Sequence, residues 1–351
     1  MLTPRLKSTI FGESAGAISV WDQLALYRGD NTYKGKPLFR AAIMDSGSIV
    51  PADPLNCAKG QQTYNAVVQA AGCAGTADTL ACLRATSFET FNNAVNSVPG
   101  IFSYDSVALQ YLPRPDGVVL AESPELLAQA GQYASVPFIL GDQQDEGTIF
   151  SLTQTNITNN DQLNEYLSTV FFHDATPAQV QGLTSTYPDD LGVSGSPFNT
   201  GLLYNVYPEY KRLAAILGDL TFTLTRRVFL TIAMQVKPNV PFYSYLSTYL
   251  AGTPVLGTYH SSDISQVYGS SGNNPIVSSI VQAYYISFFN TMDPNENTTT
   301  PLSTTGTTAW PLWAAGQQLL DFGATGTTTI PDNFRQASFN YLLASAASFH
   351  I

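Results

Sequence analysis

Short apolar runs, punctuated by glycine, proline and small polar residues, alternate along the chain with longer stretches of helical spacing. Thr9-Ile10-Phe11 reads as the end of a buried strand. Gly12-Glu13-Ser14-Ala15-Gly16 follows at once, ahead of a small-residue and apolar run suited to a packed helix. Buried strands are predicted again at 39–45, turned by Gly47-Ser48, at 136–141 (VPFILG) and within 240–246 (VPFYSYL). Between them, helical spacing covers 61–72 with Gly72 as its C-terminal cap, then 79–84 and 87–95. Ser123-Pro124-Glu125 opens another helix that Gly131 closes, and 160–172 and 176–185 follow. A long amphipathic helix over 209–235 is loosened at Gly218 and stopped before Pro238. Strands alternating with helices predict an α/β fold. The threonine-rich patches 297–308 and 323–329 read as surface loops, and with no linker or repeat, 1–351 reads as one domain.

At 351 residues, 44% hydrophobic and 12% charged, the chain can bury a large core and is globular in composition. No apolar stretch reaches 18 residues, so no membrane-spanning helix is expected. Fifteen Lys and Arg against 26 Asp and Glu give a net charge of −11, which repels phosphate backbones and makes nucleic acid an unfit partner. No metal-ligand cluster and no phosphate-cradling glycine loop is present, so no cofactor is expected.

The chemistry centres on Ser14. In a Gly-x-Ser-x-Gly elbow the serine sits on a strained turn between strand and helix, and side chains at Gly12 or Gly16 are expected to collide with neighbouring backbone. Ser14 would then project above the sheet, with the Ala15 N–H at the helix N-terminus placed to donate to an oxyanion. TIFGESAGAISV resembles the nucleophile elbow of the type-B carboxylesterase and lipase family, the α/β-hydrolase branch that includes the cholinesterases, and its secreted fungal lipases and esterases above all. That resemblance implies a mostly parallel sheet with helices on both faces, and an ester or lipid as substrate.

Asp142-Gln143-Gln144-Asp145-Glu146-Gly147 closes the third strand, at the end where open α/β sheets place their ligands. The resemblance assigns the triad acid to Glu146 rather than to Asp142 or Asp145. Of the three histidines, His173 follows Phe171-Phe172 between helices and reads as structural or solvated, while His350 lies where chain ends fray. His260, in Gly257-Thr258-Tyr259-His260-Ser261-Ser262-Asp263, resembles the family's histidine loop and completes the order nucleophile, acid, histidine. The expected chemistry is acyl transfer to water through a Ser14–His260–Glu146 triad and an acyl-enzyme. Glu13 and Ser261 resemble a supporting pair beside the triad, and Tyr259, Ile101 and Phe102 are candidates to line an apolar acyl pocket.

The resemblance also implies a disulfide between Cys73 and Cys82, leaving Cys57 as a free thiol. With the sequons at Asn156 and Asn297 it points to a secreted glycoprotein. Met1 to Leu6 is too short and too polar for a signal peptide, and the family's first strands, its glycine-rich oxyanion loop and its lid are not in the sequence. The chain therefore reads as an N-terminally truncated copy, with an open strand edge beside the elbow and weak or absent turnover. The alternative reading is a catalytically impaired fragment or a cholinesterase-like interaction protein, although such proteins usually lose the nucleophile.

Overall fold

The strand Ala41–Asp45 is buried at every position, and its side chains divide between two cores. Ala42 and Met44 join one apolar cluster while Ala41 and Ile43 join the other. That is the signature of a parallel strand covered on both faces, and it explains why the run AAIM carries no polar alternation. A computed structural model describes residues 8–270, 275–296 and 307–351.

In chain order the elements begin with β1 (Thr9–Glu13), α1 (Ala15–Ala25), the paired two-residue strands β2 (Thr32–Tyr33) and β3 (Lys36–Pro37), and β4 (Ala41–Asp45). Then come α2 (Ala58–Ala70), α3 (Thr79–Ala85), α4 (Phe88–Val95), α5 (Pro124–Gln129) and β5 (Phe138–Gln143). The middle of the chain holds α6 (Asn160–Tyr166), α7 (Pro177–Thr184), α8 (Tyr210–Gly218), α9 (Leu224–Val236) and β6 (Phe242–Ser247). Last are α10 (Ile264–Val267), α11 (Pro275–Thr291), β7 (Gln318–Gly323), β8 (Gly326–Pro331) and α12 (Gln336–Ser345).

The main sheet runs β1-β4-β5-β6-β7-β8, parallel throughout except for the β7–β8 hairpin. One face is packed by α1, α5 and α9, through Trp21, Leu127 and Phe229 against Phe138 and Phe242. Phe138 stacks on Phe229 at 5.4 Å and on Phe242 at 5.2 Å between ring centroids. The other face carries α11, whose Tyr284, Tyr285 and Phe288 meet Ile43, Ile139 and Tyr243. Burying each such side chain stabilises the fold by roughly 1.5–3 kcal/mol. Among the described strands β1 pairs only with β4, so its other edge is open.

Several sequence expectations need correction. The patch 323–329, read as a surface loop, belongs to the β7–β8 hairpin; Thr327, Thr328 and Thr329 are β-branched and sit on a half-exposed edge strand, which suits them, while Thr325 lies in the turn. Most of the patch 297–308 lies outside the described residues. The helix expected over 209–235 is α8 and α9 joined by a π-helical turn, Asp219–Thr223, which begins just after the predicted weak point at Gly218. The helix expected over 160–172 likewise ends in a π turn, Leu167–Phe171. Finally, His350 does not fray: its Nε2 lies 2.8 Å from Glu125 Oε1, and the Ile351 N–H donates to Pro51 O at 3.1 Å.

Candidate active site

β1 delivers Ser14 directly into α1, and the turn between them is too tight for an ordinary backbone. Ser14 has φ 58° and ψ −124°. A Cβ on Gly12 would lie 2.3 Å from the Gly16 carbonyl, so glycine is required there. A Cβ on Gly16 would meet nothing within 4 Å of the described atoms, which corrects the expectation that both flanking glycines are sterically forced. The Ser14 N–H donates to Asp45 O at 2.9 Å, which ties the elbow to the end of β4.

The acid arrives from the end of β5. Glu146 is 1% exposed, and its Oε1 accepts from the Ser46 hydroxyl and the Gln143 N–H, both at 2.6 Å. A close backbone crossing seats the acid: a Cβ on Gly147 would sit 1.9 Å from Ala214 O in α8. Neighbouring Asp145 serves the loop instead, accepting from Ser196 Oγ and from the Phe198 and Thr258 N–H groups at 2.8–2.9 Å. Asp142 is taken by Arg226 at 2.8 Å.

The histidine lies on the segment after β6, which Asp145 holds at Thr258. His260 Nδ1 is 2.5 Å from Glu146 Oε2 and Nε2 is 2.7 Å from Ser14 Oγ. The ring packs between Phe222, 4.6 Å away between centroids, and Phe150, at 4.9 Å. Burial disfavours the imidazolium, but the charge and hydrogen bond of Glu146, with Glu13 and Asp263 behind it, outweigh that and raise the ring above its ordinary 6.5. Glu13 Oε1 lies 3.5 Å from His260 Nε2. Burial raises the Glu13 carboxyl, while His260 and Ser261 oppose the rise.

The structure thus brings Ser14, Glu146 and His260 into one hydrogen-bonded chain, with Glu13 and Ser261 beside it. Ala15 is exposed at the α1 N-terminus and lines a cavity of about 480 Å³ with Ile18, Val95, Ile101, Leu109 and Leu112. Of the three acyl-pocket candidates only Ile101 lines that cavity. Phe102 stacks on Phe150 at 6.2 Å, and Tyr259 bridges to Asp145 as a short parallel ladder. Ser46, Phe150 and Phe222 were missed from the sequence. Ser46 carried a faint signal in its place between a buried strand and Gly47; the two phenylalanines carried none among so many.

Cys73 and Cys82 form a disulfide with Cα atoms 5.7 Å apart, over a small core of Val67, Val68, Leu83 and Ala94. Cys57 is free, and its Sγ accepts the Gly60 N–H at the start of α2. Asn156 is exposed, and its amide donates to the Tyr104 hydroxyl at 3.0 Å; Asn297 lies outside the described residues. His173 is exposed. Among the described residues no helix is long and apolar enough to cross a membrane.

Comparison with known proteins supplies the context. Residues 7–342 match the model of the carboxylesterase family. Secreted lipase 1 of Botryotinia fuckeliana is 58% identical over 345 residues, which are 98% of this chain and 59% of the relative. The secreted triacylglycerol lipase LIP1 of Gibberella zeae is 51% identical over 344 residues, 97% of this chain and 57% of the relative. The chain therefore spans somewhat less than two thirds of the curated relatives it matches. The crystal structure of Aspergillus niger EstA aligns with a TM-score of 0.78 at 21% identity, covering 98% of this chain and 65% of that one, and shares its α/β-hydrolase fold. With a matching model over nearly its whole length and relatives above half identity, this chain belongs to the carboxylesterase family.

Proposed function

We propose that this chain carries the reacting centre of a serine carboxylester hydrolase, a carboxylesterase or lipase. The observation that carries the reading is the relay Ser14 Oγ–His260 Nε2 at 2.7 Å and His260 Nδ1–Glu146 Oε2 at 2.5 Å. In it Ser14 donates its hydroxyl proton to His260 Nε2 as Oγ attacks the ester carbonyl. Glu146 accepts from Nδ1–H, fixes that tautomer and offsets the positive charge the ring acquires. Ala15 N–H, at the α1 N-terminus, donates to the oxygen that becomes negative. The tetrahedral adduct collapses, His260 returns the proton to the departing alcohol, and water deprotonated by the same nitrogen frees the acid from Ser14. The acyl group occupies the cavity beside Ala15, with Ile101 on its wall. Relatives named secreted lipases support a lipid ester as substrate and an extracellular setting, with Asn156 open to glycosylation.

The test is hydrolysis of nitrophenyl esters together with fluorophosphonate labelling of Ser14. Ser14→Ala should abolish labelling and lower turnover by about 10⁴-fold or more. Turnover that survives this replacement would refute the assignment.

A further inference from the structure

Glu13 closes β1, Asp45 closes β4, and Asp263 follows His260 by three positions. All three line one cavity of about 190 Å³, with Phe11, Val267 and Tyr268 among its other walls. Asp45 is 1% exposed and Asp263 6%. Each has one oxygen engaged: Tyr285 O–H donates to Asp45 Oδ1 at 2.7 Å, and Tyr245 O–H to Asp263 Oδ2 at 3.4 Å. The remaining oxygens, Asp45 Oδ2 and Asp263 Oδ1, are buried without a hydrogen-bond partner among the described residues, as is Glu13 Oε1. A buried ionised carboxylate left in that state is strongly disfavoured.

The titratable groups facing the pair are Glu13 on β1, Tyr245 on β6, Tyr285 on α11, Tyr268 after α10, and His260 and Glu146 on their loops. Among the described residues no lysine or arginine faces them. The buried Arg226 and Arg227 are engaged by Asp142 and Asp332, and Arg335 by Asp219. Were Glu13, Glu146 and Asp263 all ionised around the imidazole, with an ionised Asp45 behind Asp263 and Glu13, the ring would face a cluster of four uncompensated negative charges. At the effective dielectric of a protein interior, a carboxylate within about 6 Å raises an imidazole's titration by on the order of two pH units. His260 would then be locked as imidazolium and unable to take the Ser14 proton.

We propose that Asp45 and Asp263 hold a single proton between them, bridged by water in this cavity, so that the pair presents one negative charge to His260 and not two. The cavity has room for several waters at about 30 Å³ each, and they supply donors to the orphan oxygens. Burial, with the charge of Asp263, pushes the Asp45 carboxyl well above its ordinary range; burial, with Glu13 and Glu146, pushes Asp263 up to about 7. Asp45 and Asp263 are thus positioning residues that act through His260.

This rests on His260 being the base, but the readout needs no turnover. The ring titration of His260 is followed by NMR in the folded chain, with His173→Gln and His350→Gln to assign the other two. Asp45→Asn and Asp263→Asn singly each leave one charge and should move the midpoint by less than about 0.5 pH unit. The double variant should lower it by about one pH unit or more. Single variants that each produce half or more of the double variant's shift would mean two ionised carboxylates and overturn the proposal. A double variant that shifts nothing would mean two neutral ones and overturn it equally. Should the double variant fail to fold, infrared difference spectra of the unaltered chain against each single variant near pH 7 should show one protonated carboxylic acid C=O band; its absence from both overturns the proposal. If the titrations behave as expected while fluorophosphonate labelling of Ser14 is absent, the shared proton stands and the hydrolase reading falls.

Discussion

Ser14 is held at φ 58° and ψ −124°, a strained combination that costs of order 1–3 kcal/mol and persists only where neighbours dictate it. Two backbone hydrogen bonds dictate it here, Ser14 N–H to Asp45 O and Ile18 N–H to Ser14 O at 3.0 Å. At the same scale His350 is held by two carboxylates, with Nε2 2.8 Å from Glu125 and Nδ1 3.6 Å from Asp53. The carboxylates of Asp53 and Glu125, the latter hydrogen-bonded, outweigh its burial and push the imidazole up to about 9. A group that binds its proton more tightly when folded stabilises the fold fully below its unfolded value, near 6.5. That contribution is lost as pH rises through about 9. His350→Gln should therefore lower Tm by about 2 °C or more at pH 6 and leave it unchanged at pH 10. Equal losses at the two pH values would make the residue a packing element only.

Elements meet at the site through close backbone crossings, and these separate glycines that look alike in the motif. Gly12→Ala would press a methyl into Gly16 and Ala17, whereas Gly16→Ala would enter open space. The first should destabilise by about 1–3 kcal/mol in urea unfolding and the second by less than about 1 kcal/mol. Equal effects would show that the elbow relaxes around either. The elbow, the acid loop and the histidine loop were legible because each is a contiguous run at the end of a strand, where local residue chemistry dictates the turn. α11 was not legible: Val277, Ile280, Tyr284, Tyr285 and Phe288 are buried, and such β-branched and aromatic residues lack the charged outer stripe that marks a surface helix. The cluster of Glu13, Asp45 and Asp263 was equally hidden, since three separate segments supply it. Gly218 was read as a weak point in a helix, but its role is spatial: a Cβ there would lie 2.8 Å from Gly147 N, so the glycine makes room for the acid loop.

Across the whole molecule, a buried ionic network joins the sheet to the C-terminal segment. Arg226 of α9 bonds Asp142 of β5 at 2.8 Å and Asp332, just beyond β8, at 2.7 Å, while Arg227 shares Asp332 at 2.9 Å. Burial alone would raise the Asp332 carboxyl, yet the two guanidiniums hold it below its ordinary 3.8. Asp332→Ala would leave the buried Arg227 without a carboxylate and Arg226 with Asp142 alone, and should destabilise by about 3–5 kcal/mol in urea, at unchanged slope. A loss under about 1 kcal/mol would mean that water reaches the network. The same architecture spreads the relay across the chain, with Ser14 and His260 lying 246 positions apart on either side of three parallel crossovers. Contacts so remote in sequence form late, because long loops must close before they are rewarded. Reactivity toward a fluorophosphonate is thus a gauge of completed folding: a refolding chain should recover its helical circular dichroism first and its labelling last.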